Sequence, residues 1–250
     1  MTAPDVRIFP DRRSMGVAEA AYAADILRAA IAERGRARIV IGTGPSQDEM
    51  IRALVEAPGI AWARVAVFHM DEYAGIPSTH PASFRLWLKT HVADVVHPGE
   101  VHYLDGDAPD LDAECRRYAA LVAAAPIDIA FLGFGENGHI AFNDPHVADF
   151  ADPLAVKRVE MDLRCRQQQV GEGHFPDVAS MPREALTLTC PVLLGAEHVL
   201  CGVPDLRKAA AVRDALEGPI TTHCPASGVR THPRAVVFLD AAAASLLGRG

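Results

Sequence analysis

The sequence predicts an α/β fold: a doubly wound, mostly parallel sheet with helices on both faces. Two observations carry that expectation. Short apolar runs alternate with segments of helical period from one end of the chain to the other. The loops richest in Gly, His, Asp and Ser each follow one of those apolar runs, so they fall on one rim of the sheet. A single domain over 1–250 is expected, with no internal repeat and no low-complexity linker.

Taken in order, Ser14 is placed to cap a helix carrying Val17, Ala21, Ala24, Leu27 and Ile31 on one face and stopping at Gly35. Residues 38–41 form a short buried strand that enters Gly42-Thr43-Gly44-Pro45-Ser46, and a helix follows over about 47–57. Residues 65–68 are the next strand, ending at His69-Met70-Asp71-Glu72-Tyr73, and Pro81 suits the first turn of another helix. A helix over 111–124 leads into a strand over 127–132, whose length and β-branched and aromatic content mark it as buried. A strand over 199–203, a helix over 206–216 and a strand over 235–239 complete the alternation. The polar stretch from about 153 to 182 breaks the rhythm. It carries Arg164, Arg166, Gln167, Gln168, Gln169, Gly171, Gly173 and His174, and reads as a mobile cover over a site.

Bulk properties narrow the function. Half of the 250 residues are hydrophobic and 22% are charged, an ordinary globular composition. The formal charge of -8 argues against nucleic acid or an anionic membrane surface as partner. An anionic metabolite stays open, because a site needs only local positive groups. No apolar run approaches the roughly 20 residues of a membrane span. The five cysteines lack CxxC spacing, Cys190 and Cys201 sit in apolar surroundings, and Met1-Thr2-Ala3 opens no secretory signal. A reducing cytoplasm is the expected compartment. Assembly as a homo-oligomer is left open.

The most informative stretch is Gly133-Phe134-Gly135-Glu136-Asn137-Gly138-His139-Ile140-Ala141-Phe142-Asn143-Asp144-Pro145. Three glycines in six residues let a backbone approach a ligand closely, and the loop then delivers His139, Asn143 and Asp144 at the carboxyl end of a strand. Asp144 is near enough in sequence to orient the imidazole, which makes an Asp–His pair for proton transfer. Gly44 and Ser46 open a helix, where backbone N–H groups and a hydroxyl form an anion site. No P-loop lysine follows and no dinucleotide fingerprint is complete.

Asp71, at the end of a buried strand, reads either as a partly desolvated general base or as a turn cap. Lys208 reads either as a partner for an anion held at Ser46 or as a solvated surface lysine. A metal site from His69, Asp71, Glu72 and His139 lacks any spaced ligand motif, and none is assigned. With no Gly-x-Ser-x-Gly elbow, the residues describe an acid–base centre beside an anion pocket.

Met70-Asp71-Glu72-Tyr73, His80-Pro81, Ala108-Pro109-Asp110 through Tyr118, the 133–145 segment and Lys208-Ala209 together resemble the glucosamine-6-phosphate deaminase (isomerase) family, in the family's order over nearly the whole chain. The related 6-phosphogluconolactonases carry Asp-Gly-His-Thr-Ala-Ser where this chain has Gly-His-Ile-Ala-Phe-Asn-Asp-Pro. The resemblance implies a Rossmann-like sheet and cofactor-free conversion of glucosamine 6-phosphate and water to fructose 6-phosphate and ammonia. It implies that His139, supported by Asp144 and Asn137, assists ring opening, and that Asp71 moves a proton from C2 to C1. Gly44, Ser46, Glu72, Gly133 and Lys208 are the implied substrate-binding residues.

Some positions depart from the family pattern. Pro45 removes a backbone donor from the phosphate loop. A phosphate-binding arginine of the lid aligns with Gln169, leaving Arg164, Arg166 and His174 as candidates to replace it. The residues that bind an allosteric activator in some members are unmatched around 156–159, and the chain stops at Gly250 without the longer tail of hexameric members, so neither allostery nor a hexamer is expected. A lactonase, or a sugar-phosphate sensor without chemistry, is the alternative.

Overall fold

The computed structural model describes residues 4–248. Expectations resting on Met1-Thr2-Ala3 or on the end at Gly250 therefore lie outside the described residues.

The main sheet has seven strands in the order β1 (Asp5–Phe9), β10 (Ala235–Asp240), β9 (His198–Val203), β6 (Ile129–Leu132), β2 (Ala37–Ile41), β3 (Val65–His69) and β5 (Glu100–His102). Every pairing in it is parallel. Alternate side chains enter different cores. Ile39, Ile41, Ile129, Phe131, Leu200, Val236 and Phe238 pack with α1 (Arg12–Arg34) and α2 (Asp48–Glu56). Val40, Ala130, Leu132, Cys201, Val237 and Leu239 pack on the other face, with α5 (Leu111–Ala123) and α8 (Ala209–Glu217). A strand buried on both faces reads as a continuous apolar run, which is why these were visible in the sequence. Cys190 and Cys201 are core residues as expected, both fully buried.

A second, antiparallel sheet of three strands, β4 (Asp71–Tyr73), β8 (Glu184–Leu188) and β7 (Val156–Glu160), stands beside it. With α3 (Phe84–Leu88) and α6 (Leu163–Gly171) it encloses a third apolar cluster of Tyr73, Phe84, Phe142, Cys165, Phe175 and Ala185. Helix α3 continues through a π-helical turn, Lys89–Ala93, into α4 (Asp94–Val96). The short α7 (Cys190–Leu194) leads from β8 towards β9. No helix among the described residues is long and apolar enough to cross a membrane.

Several local expectations are corrected. Asp11, not Ser14, caps α1: its carboxylate accepts from Ser14 N at 2.7 Å. The buried face of α1 runs through Met15, Ala20, Ala23, Ala24, Leu27 and Ala30, whereas Val17 is half exposed. The helix near Pro81 starts only after Ser83, whose hydroxyl is its cap. Strand β1 and the whole small sheet were not expected. The 153–182 region is ordered structure, containing β7 and α6.

Candidate active site

Loops following β2, β3, β6 and β9 meet over the carboxyl edge of the main sheet, where open parallel sheets form their crevices. Gly44, Ser46, Asp71, Gly133, His139 and Lys208 all line one cavity there. Helix α6 closes it from above with Gln168 and Gln169, and Glu172 follows at the helix end.

The cavity wall begins with a histidine outside it. His69 is fully buried; its Nδ1 donates to the Asp71 carbonyl at 2.8 Å, and its Nε2 accepts from Leu104 N at 2.8 Å. Burial drives its pKa down to about 3, so the neutral ring acts as a fixed brace for the Asp71 backbone. Burial, followed by the charge of Glu72, holds the Asp71 carboxyl well above the usual range. That environment suits a group that takes up a proton and returns it.

Glu72 faces away from the cavity. Its fully buried carboxylate accepts from Tyr73 N, Ser83 Oγ, Phe84 N, Arg85 N and Arg85 Nε, at 2.7–3.2 Å. Arg85 in turn binds Asp107 at 2.9 Å and also reaches Asp105. Glu72 therefore holds the N-terminus of α3 and does not reach the cavity, which corrects its expected place among the substrate contacts.

His139 lies flat against Gly135, where a Cβ would come within 2.3 Å of the ring; only glycine fits. Its Nδ1 faces Asn137 Oδ1 at 2.7 Å and Asp144 Oδ1 at 3.1 Å. Two acceptors on one side assign the proton to Nδ1 and leave Nε2 as the basic nitrogen. Asn137 Nδ2 donates to Asp144 at 2.9 Å and to Asp162 at 2.8 Å, which fixes the orientation of its amide. Burial alone would push the Asp144 carboxyl up. His139, Asn137 and the Asp162 N–H together outweigh burial and hold it below the usual range.

Asn143 is not a ligand group: Nδ2 donates to the Ile140 and Leu188 carbonyls. It pins a turn whose Ala141 has φ 50, a strained value for alanine. Thr187 Oγ accepts from Phe142 N at 3.2 Å, and Thr187 is also the β8 partner of Asp71. One strand thus carries both halves of the acid–base pair.

Ser46 and Lys208 line the same cavity. Ser46 Oγ lies against Gly133, which has no side chain to displace it, and accepts from Gln47 Nε2 at 3.3 Å. Lys208 is buried, and burial pulls its pKa down, with the nearby Glu172 charge opposing the shift. It is not the alternative solvated lysine.

Of the lid candidates, Gln169 lines the cavity and accepts from Tyr73 OH at 2.7 Å. His174 stands just behind, 3.9 Å from Glu172. Arg164 is exposed, and Arg166 is spent on the Val178 and Met181 carbonyls. Glu172 and Phe84 line the cavity without having been named from sequence, while Gln168, Met70 and Phe142 do so from within the segments singled out there.

Two groups of described residues come close enough to hold a cation: His139, Asp144 and Cys165, and Asp144, His146 and Asp162. In the second, the Asn137 amide already bridges Asp144 and Asp162, doing by hydrogen bonding what a cation would do by charge; in the first, the same amide joins His139 Nδ1 to Asp144. The sequence-level grouping of His69 and Glu72 with Asp71 and His139 does not form, because His69 and Glu72 are wholly engaged elsewhere.

Comparison with known proteins identifies the family. The family described as glucosamine-6-phosphate isomerases/6-phosphogluconolactonase matches residues 10–238. A glucosamine-6-phosphate deaminase of Arthrobacter sp. (strain FB24) is 34% identical, covering 97% of this chain and 92% of the relative. One from Streptomyces avermitilis is 32% identical, with the same two coverages. The solved structure of a monomeric glucosamine-6-phosphate deaminase superposes with TM-score 0.89 at 30% identity, covering 97% of this chain and 99% of that one. A 6-phosphogluconolactonase of Shewanella baltica shares the fold, with TM-score 0.79 at 18% identity, covering 95% of this chain and 98% of that one. The chain belongs to the glucosamine-6-phosphate isomerase/6-phosphogluconolactonase family.

Proposed function

We propose that the protein is a glucosamine-6-phosphate deaminase, converting glucosamine 6-phosphate and water to fructose 6-phosphate and ammonia, within a single catalytic unit over residues 1–250 whose 153–182 region is the lid. The observation that carries the reading is that Asp71 and His139 line one cavity together with Ser46 and Lys208. An aldose–ketose rearrangement needs a base at C2 and C1, a second acid–base group at the ring oxygen and O1, and an anchored phosphate.

His139 Nε2 takes the O1 proton and returns one to O5, opening the ring; Asn137 and Asp144 hold the tautomer that allows it. Asp71 then removes the C2 proton, giving an enolamine, and delivers a proton to C1. The resulting C2 imine takes up water and releases ammonia, leaving the ketone. A free amine is required, so an N-acetylated sugar is not a substrate. The residues present perform every step without a metal or cofactor. Five buried, unpaired cysteines favour a reducing compartment, and the cytoplasm is the proposed location.

The test is an ammonia-release assay on glucosamine 6-phosphate and galactosamine 6-phosphate, with lactone hydrolysis of 6-phosphogluconolactone as the third arm. Release from an amino-sugar phosphate is expected. Lactone hydrolysis without ammonia release would reassign the enzyme.

A further inference from the structure

The end of the cavity expected to receive the sugar's phosphate already contains an anion supplied by the protein. Glu172 Oε1 lies 3.5 Å from Lys208 Nζ and 3.6 Å from Arg207 Nη2, and its Oε2 lies 3.9 Å from His174 Nε2. Gln168 Nε2 donates to Oε1 at 3.0 Å, and Gln168 Oε1 accepts from Glu136 N at 2.8 Å. This chain of contacts ties the lid helix to the loop that bears His139.

Local helix physics does not explain the residue. Glu172 is the C-cap of α6, where a carboxylate meets the negative end of the helix dipole and is locally unfavourable. Its partner compensates: Lys208 is a buried cation, and Glu172 is the larger of the two acidic charges acting on it, ahead of Glu136. Gly171 and Gly173, the latter at φ 85, flank Glu172, so the backbone on either side can turn the side chain away.

The cavity in this state is too small for a sugar phosphate. Water can occupy only about 70 Å³ of it, whereas ligand pockets span roughly 300–1,000 Å³. Glu172 and Lys208 line this cavity as a pair, so an anion that takes Lys208 must displace Glu172.

We propose that Glu172 is a specificity-determining residue that holds the anion subsite in the empty enzyme and yields it only to a stronger anion. Given the sugar-phosphate reading above, on which this inference rests, the displacing group is the substrate's phosphate. A phosphate carries more charge and more acceptor oxygens than one carboxylate, so it takes over Lys208, Arg207, His174 and the Gln168 amide together. A neutral sugar offers nothing to exchange for the ion pair. Glu172 thereby couples lid opening to the one feature that distinguishes a phosphorylated amino sugar from the free one.

The experiment titrates inorganic phosphate into the full-length protein and into Glu172→Gln by calorimetry at fixed ionic strength. Glu172→Asp serves as a second variant that keeps the charge but shortens its reach. Phosphate affinity should rise about tenfold in Glu172→Gln, because Lys208 loses its internal counter-charge. It should rise less in Glu172→Asp, and KM for glucosamine 6-phosphate should fall in the same order. Unchanged or weaker phosphate binding in both variants would overturn the proposal. Tighter phosphate binding with no turnover of any amino-sugar phosphate would uphold Glu172 and reject the deaminase reading, so the two failures are separable.

Discussion

Asn137 and His139, two residues apart, are joined twice: the His139 N–H donates to Asn137 Oδ1 at 3.1 Å, and His139 Nδ1 lies 2.7 Å from the same oxygen. The amide therefore chooses the imidazole tautomer as well as its direction. Asn137→Ala should lower ammonia release by about 100-fold, within the range of a general acid–base contribution. An unaltered rate would remove Asn137 from the mechanism.

Asp71→Asn removes a proton acceptor and almost no volume. Turnover should drop by at least 100-fold, while a non-reacting phosphosugar analogue binds nearly as before. Turnover like that of the parent protein would exclude Asp71 as the base.

Lys208→Ala deletes the buried cation of the anion subsite. KM for the phosphosugar should rise about 10- to 100-fold, the range of a charge-assisted hydrogen bond. Equal affinity in parent and variant would place the phosphate elsewhere.

Glu72→Ala is expected to act on stability rather than on the reaction. Arg85 keeps Asp105 and Asp107, but Ser83 Oγ and the Tyr73, Phe84 and Arg85 N–H groups lose their buried acceptor, which costs about 3 kcal/mol or more in total. Urea unfolding should show that loss; a midpoint within error of the parent protein would contradict the helix-holding role.

Glu19 supplies a pH test. It is fully buried on α1, neither carboxyl oxygen has a partner, and burial lifts its pKa from 4.5 to about 8. Between those values the unfolded chain is ionised while the fold keeps the proton, so the native state binds more protons and stability falls as pH rises from about 4.5 to 8. The contribution is roughly 1.4 kcal/mol per pH unit in that window and flat outside it. Glu19→Gln should abolish this slope, as read from urea midpoints at pH 5 and pH 8. Identical slopes in the two proteins would refute the assignment.

The main sheet was largely legible because its strands are buried on both faces and show as apolar runs, as in residues 38–41 and 235–239. Strand β1 escaped because it is a mostly exposed edge, with Ile8 57% exposed. The small sheet escaped because β4 is only three residues long and β7 has just two apolar residues, Val156 and Val159, spaced three apart within a polar region. In the site, His139, Asp144 and Asp71 stood out by residue type at strand ends. Glu72 was misplaced because nothing local shows that its carboxylate turns towards Ser83 and Arg85, 11 and 13 positions on. Glu172 had no sequence signal, since its meaning depends on Lys208, which only tertiary structure brings beside it.

Strand β8 has a consequence for anyone wishing to retune this enzyme. Because Thr187 pairs with Asp71 and also receives Phe142 N, three residues beyond His139, a residue outside the cavity lining braces both of the segments that bear the acid–base groups. Altered reactivity is thus accessible from behind, by trimming or enlarging a hidden support while leaving every group that meets the sugar intact.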